Sequence, residues 1–223
     1  MKTRGLVLVL SLVVIPLFVS ASTPTLAVLD FENNSFYKPQ DVQPLSKGLA
    51  QIMISELARN SSVRVVERQK LRSLMDELKL SQAGVVSEES SIQVGKMLGA
   101  KHLVFGGYMV MMDDKVRIDT RIVEVETGLT LKAGEVTGKT KDILTLIRKL
   151  GDKILSDLDI RLTDRKGPDQ GKVRMDALKV YSEGLDWEDN GNVKKAVACY
   201  RQALEMEPGF SQAKARLAQL GEK

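Results

Sequence analysis

Ala100–Thr140, AKHLVFGGYMVMMDDKVRIDTRIVEVETGLTLKAGEVTGKT, is the stretch whose reading decides the fold. It reads as a three-strand antiparallel meander. Leu103 to Met112 is an apolar run broken by Gly106 and Gly107, which suits a strand buried on both faces that meets a bulge or a close contact. Asp113-Asp114 supplies turn chemistry. Val116, Ile118, Thr120 and Ile122 then alternate with Lys115, Arg117, Asp119 and Arg121, the period of a half-buried strand. After Ile122 the apolar set moves to Val123 and Val125, which predicts a bulge. Glu126-Thr127-Gly128 predicts a second turn with Gly128 at positive φ, and Leu129 to Thr137 returns as the third strand.

Working outward, the flanks read as cover for this sheet. Thr25 to Phe31 is a short buried strand, and Glu32 to Pro44, with Asn33, Asn34, Pro39 and Pro44, reads as a loop. Leu45, Leu49, Ile52 and Leu57 mark an amphipathic helix that Asn60-Ser61-Ser62 stops. Val63 to Val66 is a second strand, and from Glu67 a helix carries Leu71, Leu74, Met75 and Leu78 on one face. Ser87 with Glu88 and Glu89 forms the N-cap and acidic first turn of a third helix, with Val94, Met97 and Leu98 facing inward and Gly99 after its end. Ile143, Leu144, Ile147, Leu150, Ile154 and Leu158 define a long closing helix. The predicted order is β-α-β-α-α-β-β-β-α. The fold class is α/β in the α+β sense: a small mixed sheet with an antiparallel meander, covered by helices.

The two ends read differently. Residues 1–21 have a basic start, an apolar run from Leu6 to Val19 and a small-residue site at Val19-Ser20-Ala21, the pattern of a secretory signal peptide. No cysteine follows that run, so no N-terminal lipid anchor is expected, and no other segment reads as membrane-spanning. The one cysteine, Cys199, excludes an intrachain disulfide. The formal net charge is +4, but setting aside Lys2 and Arg4 leaves 31 basic against 29 acidic residues without a dominant basic block, so nucleic acid is not an expected partner. Aromatics at 4% predict an aliphatic, Met-filled core. The α/β domain spans 22–160, and residues 161–175 form a linker around the polar run RLTDRKGPDQGK. Residues 176–223 read as an all-α hairpin with a capping helix over Ser211–Leu220.

Two resemblances follow from these strings. "TLAVLDFENNS", "LSKGLAQIMISEL", "VRVVERQKLRSLMDELKLSQAG", "VGKMLGAKHLVFGGY" and "VRIDTRIVEVETGLTL", in this order, resemble the CsgG-type family of curli-secretion components over Thr25 to Leu158, and the pattern is similar to TolB N-terminal domains. The resemblance implies an envelope-associated domain that binds other proteins rather than performing chemistry, in the periplasm or peripheral at the outer membrane. It departs from the curli channel: only Asp113-Asp114 stands where a membrane-spanning hairpin would be inserted, so no pore is expected. Ala177 to Phe210 resembles a single tetratricopeptide repeat, with Gly184, Ala196, Tyr200, Ala203 and Pro208 at the consensus places, Trp187 at the helix-A aromatic place, and Glu183 departing from it.

Signals for chemistry are few, and no catalytic residue, cofactor or metal site is expected. Ala133 to Thr140, AGEVTGKT, matches a loose phosphate-loop string ending in Lys139, but Glu135 repels phosphate and Val136-Thr137 favour a strand. A nucleotide-binding protein using Lys139 is therefore the alternative reading, and a purely structural homo-oligomer another. His102 is the only histidine and reads as structural, as does Cys199. Asp30 and Glu32 read as a lead into a loop ahead of a cation site, and Met109, Met111 and Met112 as strand core ahead of an adaptable surface. The expected partner-binding residues are Leu178, Tyr181, Leu185 and Glu188. They share one stripe of the first hairpin helix, which must be covered by the α/β domain, a second copy, a partner envelope protein or peptide, or the capping helix.

Overall fold

The computed structural model describes residues 23–78, 87–163 and 173–222. The signal segment and linker residues 164–172 lie outside these residues. The elements are β1 (Thr25–Val28), β2 (Glu32–Asn33), α1 (Pro39–Val42), α2 (Leu45–Ala58), β3 (Arg64–Val65), α3 (Arg68–Glu77), α4 (Glu88–Met97), β4 (His102–Val110), β5 (Lys115–Glu124), β6 (Thr130–Lys139), α5 (Ile143–Asp157), α6 (Met175–Asp189), α7 (Val193–Met206) and α8 (Ser211–Gln219). The sheet is mixed and open, in the order β3-β1-β4-β5-β6, with β2 also on β4. β1 runs parallel to β3 and β4, while β4, β5 and β6 form the antiparallel meander.

The meander is where the sequence places it, with one change of cause. β5 buries Val116, Ile118, Thr120 and Ile122 on the face toward α2 and α5. Val123 and Val125 are buried on the opposite face against Val94 and Leu103. The apparent phase slip is thus a second face becoming covered, because β5 pairs with β4 without interruption from Val116 to Glu124. The irregularity at Ile122/Val123 belongs to the other edge, where Leu131 of β6 is the extra residue. Gly128 has φ 73°, as the second turn requires. Gly106 serves a close contact: a Cβ there would stand 2.4 Å from the Phe31 ring.

Several expectations change. The segment 32–44 holds β2 and the short α1 rather than loop alone. Met97 and Leu78 are exposed, because the amphipathic stripes of α3 and α4 end before their last turns. Met112 is 80% exposed, and neither Met109 nor Met111 belongs to a core cluster. Ser87 does cap α4, its side chain accepting a hydrogen bond from the Ser90 N–H.

The C-terminal helices are not a separate body. One hydrophobic core runs from Leu26, Val104 and Ile118 through Leu45, Leu49 and Ile147 to Leu178, Tyr200 and Phe210. Gly48 of α2 makes the join possible, because a Cβ there would lie 1.9 Å from the Ser182 hydroxyl of α6.

Candidate functional site

The direction of chain travel locates the site. β1 connects through α2 to β3 on one side, and β3 connects through α3 and α4 back to β4 on the other. α2 packs in one core and Leu71 and Val94 of α3 and α4 in the second, so the connections cross to opposite faces about β1. Such a reversal leaves a crevice at the carboxyl end of the strand. A cleft of about 610 Å³ lies there, lined among others by Leu29, Asp30, Glu32, Arg68, Leu71 and Phe105.

A bulge aims Asp30 into it. β1 and β2 lie along the same strand β4, yet Val28 pairs with Val104 and Glu32 with Gly107, so four steps on one strand meet three on the other. The surplus falls at Leu29–Phe31. Phe31 turns its backbone to α2, its N–H donating to the Ser46 carbonyl at 3.2 Å and its carbonyl accepting from the Ser46 hydroxyl at 2.6 Å. The Asp30 carboxyl makes no hydrogen bond to a described residue. Burial pushes it above the ordinary carboxylate range, against the pull of Arg68 and Lys47. Its charged neighbours being chiefly cations, it is no cation site.

Behind Asp30 stands a buried charge cluster that sequence reasoning missed. Arg68 donates from Nη1 and Nη2 to the two Asp189 oxygens at 2.7 and 2.8 Å, and Lys47 lies 3.0 Å from the same carboxylate and also pairs with Asp186. Burial works against both charges, but the hydrogen bonds between them win, holding Asp189 below and Arg68 above their usual ranges. A signal was present. Arg68 opens α3 and Asp189 closes α6, each at the end where its own helix dipole disfavours its charge. Brought together, the two offset one another. The Arg68 Nε–H remains buried without a hydrogen-bond partner.

The four stripe residues are filled from within the chain. Leu178 and Leu185 are fully buried, and a Cβ on Gly48 would lie 3.5 Å from Leu178. Tyr181 packs on Tyr200 and Phe210 with ring centroids 5.6 and 4.9 Å apart. Glu188 accepts from Gln69 Nε2 and from the Tyr200 hydroxyl, both at 2.6 Å. α2 and α3 thus cover one part of the stripe and α7 and α8 the other, so the stripe is interior packing and not an open partner surface. Ala133–Lys139 is strand, its residues paired with Lys115–Arg121 of β5, and Arg117 holds Glu135. No phosphate-wrapping loop forms from it. His102 is buried at the start of β4, its pKa lowered by burial and then by Lys101. Cys199 is half-buried beside Gly184, and burial raises its thiol pKa. Among the described residues no helix is long and apolar enough to cross a membrane.

The family model described as the curli production assembly/transport component CsgG matches residues 12–111, which includes β1 through β4. No curated protein matches the chain. Among solved structures it is similar to the LpoB C-terminal domain from Escherichia coli, at 18% identity and TM-score 0.42, over 52% of this chain and 83% of that one. It is also similar to lipoprotein GNA1162 from Neisseria meningitidis, at 13% identity and TM-score 0.43, over 62% of this chain and 99% of that one. TolB from Acinetobacter baumannii is similar at 13% identity and TM-score 0.39, over 61% of this chain and 28% of that one.

Proposed function

We propose that this chain is a non-enzymatic interaction factor of the CsgG-like type, supporting assembly or secretion at the cell envelope by binding other proteins or peptides. It is exported with cleavage after Ala21 and acts in the periplasm or peripheral at the outer membrane. The match of residues 12–111 to the CsgG model carries the reading. The β4–β5 connection supports the absence of a pore-forming hairpin, since β5 begins at Lys115, five residues after Val110, whereas a barrel-spanning strand needs about ten. The finer reading of α6–α7 as one tetratricopeptide repeat is supported by Gly184, where a Cβ would stand 2.5 Å from the Tyr200 ring.

Cell fractionation with crosslinking in intact cells tests the proposal. A processed chain starting at Ser22, recovered from the periplasm with crosslinks to envelope proteins, is the expected result. An unprocessed chain confined to the cytoplasm overturns it. A second reading, a structural homo-oligomer, is favoured by β6, a ten-residue strand at the sheet margin. A monomer mass in solution at all accessible concentrations excludes that reading. The nucleotide alternative is tested by titrating ATP into wild type and Lys139→Ala; saturable binding that depends on the lysine would restore it.

A further inference from the structure

We propose that the cleft at the carboxyl end of β1 binds an extended, uncharged peptide segment of a partner protein, seating an aliphatic side chain in its apolar part and a backbone amide on Asp30. The inference rests on the interaction reading above and names what the site takes. Of the lining residues, Leu29, Leu71, Met75 and Phe105 belong to one apolar cluster and form the cleft's apolar part, and Asp30 and Arg68 bring polar groups to the same cleft. A half-buried carboxylate without a hydrogen bond is costly unless a ligand donates to it. The N–H of a peptide unit supplies that donor. Both charge signs are disfavoured: an ammonium meets the guanidinium groups of Arg68 and Arg72, and an anion meets Asp30 and Glu32. A glycan offers hydroxyl groups but no aliphatic side chain for the apolar part.

The test uses the full chain and small blocked amino acids followed by NMR. N-acetyl-leucine N-methylamide is expected to shift the methyl resonances of Leu71 and Met75 saturably. The corresponding lysine and glutamate compounds and maltotriose are expected to bind at least fivefold more weakly. Asp30→Ala should weaken the leucine probe at least fivefold without lowering the melting temperature, and Met75→Glu, at a half-buried position, should do the same through the apolar part. No saturable shift with the leucine probe, equal binding of the charged or sugar probes, or unchanged affinity in both variants overturns the assignment. The in-cell crosslinks separate this result from the broader one. If Asp30→Ala leaves crosslinks to envelope proteins intact, the cleft assignment falls and the interaction reading stands. If the wild-type chain gives none, the interaction reading falls whatever the probes do.

Discussion

Two carboxylates near Arg68 behave oppositely with pH. Asp30 has its folded pKa raised above the ordinary carboxylate range, mainly by burial. Its favourable contribution is therefore complete below the unfolded pKa and is lost as pH rises through the folded one. Asp30→Asn is expected to raise the melting temperature at neutral pH, with the gain vanishing as pH falls toward 4; a gain that persists in acid would contradict the burial argument. Asp189 is lowered, so its stabilisation is present above its unfolded pKa and is lost as pH falls through its folded value. Gly106 is a packing position of another kind. Phe31 fills the space its missing side chain leaves, so Gly106→Ala is expected to cost about 1–3 kcal/mol in urea unfolding. An unchanged midpoint would show that the Phe31 ring can move aside. Neither role could be read locally: a glycine in an apolar strand announced a close approach, but Phe31 as its neighbour follows only from the β1–β4 pairing.

At the scale of elements, α2, α3 and α6 meet through small residues and buried charges together. The N-terminal ends of α2 and α3 present Lys47 and Arg68 to the C-terminal end of α6 with Asp186 and Asp189. Arg68 is 3% exposed, so removing its partner strands a charge in the interior. Asp189→Ala is expected to cost about 3–5 kcal/mol, while Arg68→Met combined with Asp189→Leu recovers most of it, since apolar pairs replace buried ion pairs well. Denaturant midpoints of the three chains check this, and a double variant no better than the single one would sink it. Helix periodicity found each of these elements, and the caps at Ser87 and Gly99 were legible because they depend on neighbours in sequence. The helix-dipole conflicts at Arg68 and Asp189 were legible too, as violations whose remedy lies on another element.

For the molecule as a whole, the shared core decides how the chain divides. A chain ending at Thr163 loses α6–α8 and uncovers the face of α2 around Gly48. It is expected to melt earlier and less cooperatively and to bind a hydrophobic dye. Unchanged melting would mean that the C-terminal helices are an attachment rather than part of the core. The polar run after Arg161 reads as a linker because composition reports solvation of the chain, not where the next element docks. The same reason leaves the cover of the α6 stripe open in the sequence. Leu178, Tyr181 and Leu185 form an apolar face whose need for cover is plain from spacing, but spacing does not say what supplies the cover.

The sequence by itself determined the meander, the boundaries of the longer helices of the α/β domain to within a turn, the mixed α/β class and the turn at Gly128, because each depends on period, propensity or a backbone angle set within a few residues. Tertiary structure alone decided that α6–α8 share the core of the sheet, that Arg68 finds Asp189, and that a bulge between two short strands turns Asp30 into a cleft. Those features join positions distant in sequence, 121 residues apart for Arg68 and Asp189, and the free energy that selects them comes from packing and desolvation across the assembled interior, for which no local pattern is a proxy.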